Sequence, residues 1–266
     1  MVSFIDCHLS LRRCSPFNGG KFEGWGTSFC WWPNRIGYLD ELSERAAKLF
    51  FDPKEGLGLN IIRYNIGGGD DPTHHHITRT DSMVPGYAIN PSHDANGYHW
   101  SYDWNADQNQ RNVLMKVAEC YGKDLIVEGF SNSPPYFMTN SGCSSGSVNA
   151  GENNLCEDAY GAFASYLADV AQHFSKEWGI HFQSMTAMNE PDTEYWHALS
   201  DKQEGCHFDP GESQSVMIIA LREALDERGL NDILISGTDE TGIDCQINSI
   251  NSLSEVARET IARIDT

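Results

Sequence analysis

No stretch of about eighteen uninterrupted apolar residues occurs in this sequence, so it offers no candidate for a membrane-spanning helix. Basic residues are few: 18 Lys and Arg stand against 38 Asp and Glu, a formal charge of −20. Such a field repels phosphate backbones and argues against a nucleic-acid partner. A neutral or cationic ligand, or simply a solvated acidic surface, is compatible with it. The eight cysteines show no paired C-x-x-C spacing, which argues against a zinc site. Cys143 and Cys156 flank the polar stretch SSGSVNAGENNL and are open to two readings, a disulfide staple or two free thiols. The opening MVSFIDCHLSLRRCSPF has its apolar residues broken by Asp, His and Arg, and lacks a signal-peptide core. Phosphate-binding glycine patterns are missing as well: GWGTSF is not G-x-G-x-x-G, and IGGGDD lacks the Lys-Ser/Thr of a phosphate loop. Internal repeats and low-complexity segments are absent.

What the sequence does contain is five short apolar runs, each ending in glycine or polar residues. They are FEGWGTSFCWW (22–32), LNIIRYNIGGG (59–69), DLIVEGFSNSPP (124–135), HFQSMTAMNEP (181–191) and DILISGTDE (232–240). The second, third and fifth have the near-continuous, β-branched hydrophobicity of strands buried on both faces. Between the runs lie helical patterns: YLDELSERAAKLFF, NADQNQRNVLMKVAECYG, EDAYGAFASYLADVAQHFSKEWG and PGESQSVMIIALREALDERG, with QINSINSLSEVARETIARI after the last. Several stop at glycine. Strand, loop and helix in series, without hairpin signals, predict successive βα units on a parallel sheet. Functional-looking residues sit at the C-terminal end of every run, which is the habit of a (β/α)₈ TIM-type barrel rather than a doubly wound sheet. The expected fold class is therefore α/β, of the (β/α)₈ barrel type. Only about the first five of its eight βα units are visible.

The chemistry concentrates in QSMTAMNEPDTEYW (183–196). A carboxylate at the mouth of a barrel strand gives or takes a proton when its surroundings suit, and Glu190 is so placed. Asn189 can hold a substrate hydroxyl beside it, while Pro191 removes a backbone donor and ends the strand. Tyr195 and Trp196 offer flat faces of the kind on which sugar rings pack. An N-E-P turn that merely starts a helix is the bland alternative.

The ordered set FEGWGTSFCWW, IIRYNIGGG, FSNSPPYFMT, AMNEPDTEYW and QEGCHF resembles glycoside hydrolase family 30, in particular its endo-β-1,6-galactanase-like branch. The resemblance runs from about Lys21 to the last residue. It implies a retaining glycosidase acting on β-linked galactan or a related β-glycan, with Glu190 as acid/base and Asn189 on the adjoining sugar. It also implies that Arg63 supports the nucleophile, and that Asn132 and the segment SNSPPYF line the pocket. Phe137 stands where many relatives have tryptophan. The expected substrate-binding set is Asn189, Arg63, Asn132, Trp25, Trp32, Tyr136 and Trp196, with Trp31 beside Trp32, and Gln203 and Glu204 bounding the cleft. The partner is an oligo- or polysaccharide, and a secreted or cell-surface location follows from the same resemblance. No cofactor is expected, since two carboxylates perform the reaction.

Further expectations concern what is not visible. The retaining nucleophile lies about 5 Å from the acid/base, and by resemblance it sits at the end of a seventh strand. Glu128, Asp239 and Glu240 do not match its motif, Glu240 being the best local substitute. Residues 1–17 are expected to form a strand of a side domain. Residues 18–266 are expected to form the N-terminal part of a barrel whose C-terminal units are missing. A catalytically inactive sugar-binding remnant, or a related β-glucosidase or xylanase, are the alternative functions. Finally, DPTHHHITRT (71–80) reads as a solvated loop and not a metal site, because three consecutive histidines cannot all face one ion and no spaced partner carboxylate is evident.

Overall fold

The computed structural model describes residues 22–265, so the side-domain strand expected over 1–17 lies outside the described residues. In chain order the strands are β1 (Gly26–Ser28), β2 (Ile61–Asn65), β3 (Ala88–Asp94), β4 (Gly97–Tyr102), β5 (Ile126–Phe130), β6 (Ser184–Thr186), β7 (Leu234–Thr238) and β8 (Ile261–Asp265). The helices are α1 (Trp32–Ile36), α2 (Asp40–Phe51), α3 (Gln108–Tyr121), α4 (Tyr160–Glu177), α5 (Glu212–Glu227), α6 (Ile243–Ser252) and α7 (Glu255–Thr260). Six strands make one sheet in the order β1-β2-β5-β6-β7-β8. All its pairs are parallel. The five expected strands are therefore parallel neighbours in chain order, as βα units of a TIM-type barrel require.

Alternation along the strands assigns the two faces. Ser28, Arg63, Glu128 and Ser184 stand in register across four strands. Two residues further on, Asn65, Phe130 and Thr186 do the same on that face. The opposite face carries Ile62, Tyr64, Val127, Met185 and Ile235, all buried in the hydrophobic core. Against this face packs α4, which buries Phe163, Tyr166, Leu167, Val170, Ala171 and Phe174 at helical spacing. The Phe174 ring meets Tyr64 edge-on, with centroids 5.1 Å apart. Each such large apolar side chain contributes about 1.5–3 kcal/mol by leaving water. One face thus binds helices, and the other is left polar and available for chemistry.

Two expectations are corrected. First, the series is interrupted by a hairpin, since β3 and β4 pair antiparallel in a sheet of their own. Its turn is Ala95-Asn96, closed by the Asp94–Gly97 pair: Asn96 N–H donates to Asp94 Oδ1 at 2.7 Å, and Gly97, which opens β4, adopts φ +107°, which only glycine takes freely. Second, the helical pattern expected to reach Ile264 stops at Thr260. It is split at Leu253, where Ser254 accepts the Ala257 N–H and caps α7. The residues that follow are β8, a sixth strand parallel to β7. Six thiols among the described residues are free, Cys143 and Cys156 included. No helix among the described residues is long and apolar enough to cross a membrane.

Candidate active site

Glu190 stands four residues beyond the end of β6, half-buried, with φ +49°. A non-glycine residue in that region is uncommon and has to be held there by its surroundings. Here the holding groups are explicit. The Glu190 N–H donates to the Asp239 carbonyl at 2.7 Å, tying the end of β6 to the end of β7. Its own carbonyl accepts the Trp196 indole N–H at 3.0 Å and the Thr193 hydroxyl at 2.9 Å. The Tyr195 hydroxyl donates to Glu190 Oε2 at 2.5 Å. Burial, reinforced by the Glu190 carboxylate, holds the Tyr195 phenol above its ordinary pKa, so it stays a proton donor across the neutral range.

Arg63 organises the floor beneath. Its guanidinium donates to Asn189 Oδ1 at 3.2 Å, contacts the Asp239 carboxylate, and lies 3.5 Å from Glu128. It also covers the Phe130 ring at 3.5 Å. Glu128 in turn accepts the hydroxyls of Ser184 at 2.8 Å and Ser236 at 3.2 Å. Burial raises the carboxyls of Glu128 and Asp239 against the opposing pull of Arg63, that of Asp239 up to about 7. Asp265, at the end of β8, raises both further. One cation therefore faces two buried carboxyls, with Asp265 beside them, and the interior favours partial protonation.

Glu240 is committed elsewhere. Its carboxylate accepts the Ser249 hydroxyl at 2.7 Å, the Gln214 amide at 3.1 Å and the Asp192 N–H at 3.1 Å. It anchors the loop that presents Glu190 rather than facing a substrate.

The other expected residues divide. Asn132 is buried at the end of β5, its N–H directed at Asn65 Oδ1 at 3.4 Å and its amide nitrogen without a partner among the described residues. Trp196 is buried, supporting Glu190 through its indole rather than presenting an open face. Trp32 packs edge-on between Phe29 and Phe50 and donates to the Ser28 carbonyl, so it belongs to the wall. Trp25 is not brought to the mouth: it precedes β1, at the strand's N-terminal end, 71% exposed and edge-on to Phe22. Tyr195 was expected only as a flat face, and Glu128 and Asp239 only as carboxylates that do not match the nucleophile motif; their contacts with Glu190 and Arg63 were not expected. Their signal was a hydroxyl five residues past the carboxylate and two acidic residues on neighbouring strands.

A separate cleft does not include Glu190 in its lining. Its volume is ≈ 650 Å³, and Asp70, His74, Tyr136, Ser144 and Glu204 are among its lining. Glu204 is fully buried, accepts the Gly69 N–H at 3.1 Å, and is raised well above the usual carboxyl range by burial. Among the described residues β1 and β8 are the two edges of the sheet and do not pair, so the sheet is open on that side. The histidine stretch also needs correction. His75 is exposed as expected, but Asp70 supplies the carboxylate that the sequence seemed to lack, 3.2 Å from His74 and 3.5 Å from His76.

A row of polar residues on the inner face of a parallel βα sheet, with carboxyls at its C-terminal mouth, is the barrel-enzyme arrangement. Residues 21–251 match the O-glycosyl hydrolase family 30 profile, and the chain belongs to that family. It is 37% identical to an endo-β-1,6-galactanase of Hypocrea rufa over 93% of this chain and 53% of that protein. It is 26% identical to an exo-β-1,6-galactobiohydrolase of Bifidobacterium longum subsp. longum over 94% of this chain and 22% of that protein. The catalytic domain of the GH30 xylanase C from Talaromyces cellulolyticus shares the fold, with a TM-score of 0.67 at 20% identity over 91% of this chain and 51% of that one. The chain thus spans about half the length of the galactanase, and less of the galactobiohydrolase.

Proposed function

We propose that this chain carries the acid/base half of a retaining hydrolase of β-linked galactan. The observation that carries the reading is the posture of Glu190, fixed at the mouth by Asp239, Trp196 and Thr193 and hydrogen-bonded by Tyr195. The likeness to the Hypocrea rufa galactanase supports the choice of galactan. Glu190 gives its proton to the glycosidic oxygen as the bond to the anomeric carbon breaks and a second carboxylate bonds to that carbon. It then takes a proton from the water that releases the sugar. Tyr195 stabilises the negative charge that grows on Glu190 in the first step. Asn189, fixed by Arg63, holds a hydroxyl of the sugar at the cleavage point.

The second carboxylate is proposed to come from the strands that close the sheet between β8 and β1. Asp239 and Glu240 support this by their other engagements, with Arg63 and with Ser249, Gln214 and Asp192 respectively. The test is to digest β-1,6-galactan with the enzyme and follow the first product by proton NMR. Initial release of the β-anomer of a galacto-oligosaccharide is expected. Initial release of the α-anomer would contradict the retaining mechanism. Cleavage of xylan or β-1,6-glucan in preference to galactan would assign the site to a related β-glycosidase.

A further inference from the structure

Four potential ligands from two distant segments converge beside the large cleft. Asp70, His74 and His76 lie on the loop after β2, and Cys143 lies on the loop after β5, 67 residues from His76. One donor atom from each, an oxygen, two nitrogens and a sulfur, lies within 4.8 Å of all the others. The closest spacings are 3.2 Å from His74 Nδ1 to Asp70 Oδ1, 3.5 Å from His76 Nε2 to Asp70 Oδ2, and 3.5 Å from Cys143 Sγ to His76 Nε2. A tetrahedral ion with bonds of ~2.0–2.1 Å to N or O and ~2.3 Å to S spaces its ligands roughly 3.3–3.6 Å apart. Cys143 is buried, and His76 has only 10% of its side chain exposed.

Hydrogen bonding alone accounts poorly for the arrangement. His76 Nε2 has two neighbours at 3.5 Å, and a ring nitrogen offers one proton or one lone pair, so it serves only one of them. For an N–H···O bond that separation is also too long. The surrounding backbone completes the picture: Ser144 N–H donates to Asp70 Oδ1 at 3.0 Å, and Leu199 N–H donates to Cys143 Sγ at 3.3 Å. Outer partners of this kind orient metal ligands.

We propose that Asp70, His74, His76 and Cys143 form a structural zinc site that clamps three loops along the wall of the ≈ 650 Å³ cleft. The loops are those after β2, after β5 and around Leu199. Two imidazoles with a thiolate and a carboxylate select Zn²⁺ over Mg²⁺ or Ca²⁺, which take oxygen ligands. Zinc replaces the thiol proton of Cys143, which leaves to solvent.

The test uses the purified, reduced protein. It is titrated with Zn²⁺ against a chromophoric chelator, and with Co²⁺ followed by absorption. One equivalent of Zn²⁺ is expected to bind. Co²⁺ is expected to show the strong visible bands of a four-coordinate ion and a near-ultraviolet band from the thiolate. Cys143→Ser removes that near-ultraviolet band. His76→Ala lowers zinc affinity by at least about tenfold, the smallest loss that even an outer partner produces. His75→Ala, at the exposed neighbour, leaves affinity unchanged. Circular dichroism checks that each variant folds, and the wild-type cobalt spectrum decides alone where one does not. Failure to bind one equivalent, cobalt bound without the thiolate band, or full affinity in His76→Ala would each overturn the site.

Discussion

The Tyr195 hydroxyl donates to Glu190 Oε2 across 2.5 Å, from a ring that is 48% exposed at the mouth. A hydrogen bond to a charged group is worth about 1.5–3 kcal/mol. Tyr195→Phe removes it and keeps the ring. The expected outcome is a loss of roughly 10- to 100-fold in kcat/KM on galactan, with a smaller loss on an aryl galactoside carrying a good leaving group. Equal losses on both substrates would assign Tyr195 to binding and not to support of the acid/base.

Arg63 joins Asn189, Asp239 and Glu128, and no neutral side chain can replace it. Arg63→Met leaves two buried acidic groups without their cation, which is expected to cost about 3–5 kcal/mol. Denaturant unfolding measures it. A loss below about 1 kcal/mol would mean that the carboxyls are already protonated and need no cation.

Gly205 lies against the Trp196 indole: a methyl group added there would sit 2.1 Å from Trp196 Cε3. Gly205→Ala must therefore move the ring whose N–H holds the Glu190 carbonyl. Turnover should fall roughly 2- to 10-fold for the loss of that positioning hydrogen bond. By contrast Trp25→Ala, at the far end of β1, should leave kcat unchanged. Steady-state kinetics on galactan separates the two.

Stability should fall as pH rises through neutrality. Burial pushes the carboxyls of Asp107 and Asp239 up to about 7 and raises that of Glu204. The folded chain keeps protons there that the unfolded chain gives up near pH ~4. Between those values the unfolded state binds fewer protons, so this stabilisation is full below about pH 4 and is lost as pH approaches about 7. Asp81 acts in the opposite sense. Its carboxyl is lowered by Arg35 and Arg79, and it supplies stability that is lost only on acidification. The thermal midpoint is expected to be higher near pH ~5.5 than near pH ~8. Asp107→Asn, which mimics the protonated form, should flatten the slope. A midpoint that rises from pH ~5.5 to ~8 would contradict this.

Most of the parallel sheet was legible because β2, β5 and β7 are apolar runs with polar ends, a pattern set by burial against helices on one face. The hairpin escaped although Asn96 and Gly97 adjoin its turn, because Pro91 within β3 argues against a strand. Strand β8 escaped for a different reason: Ile261 and Ile264 lie three apart and extend the period of α7, so only pairing with β7 settles their conformation. In the site, Glu190, Asn189 and Arg63 were readable from their strand ends. Glu128 and Asp239 as partners of Arg63 were not, since contacts between strands depend on register. Trp25 shows the converse error, a tryptophan next to a strand but at its wrong end. Cys143 meets His76 only through the fold.

The most direct measurement compares Glu190→Gln with wild type in the complete enzyme, closing strands included, on β-1,6-galactan and on an aryl β-galactoside with a strongly acidic leaving group. Glutamine keeps the shape of the side chain and the Tyr195 contact but has no proton to give. The expected result is a fall of about 10²–10⁴-fold in kcat/KM on galactan, whose departing oxygen needs a proton. On the aryl substrate, which needs little proton assistance, the fall in kcat/KM should be far smaller. A loss of the same size on both substrates would contradict the assignment of Glu190 as the acid/base.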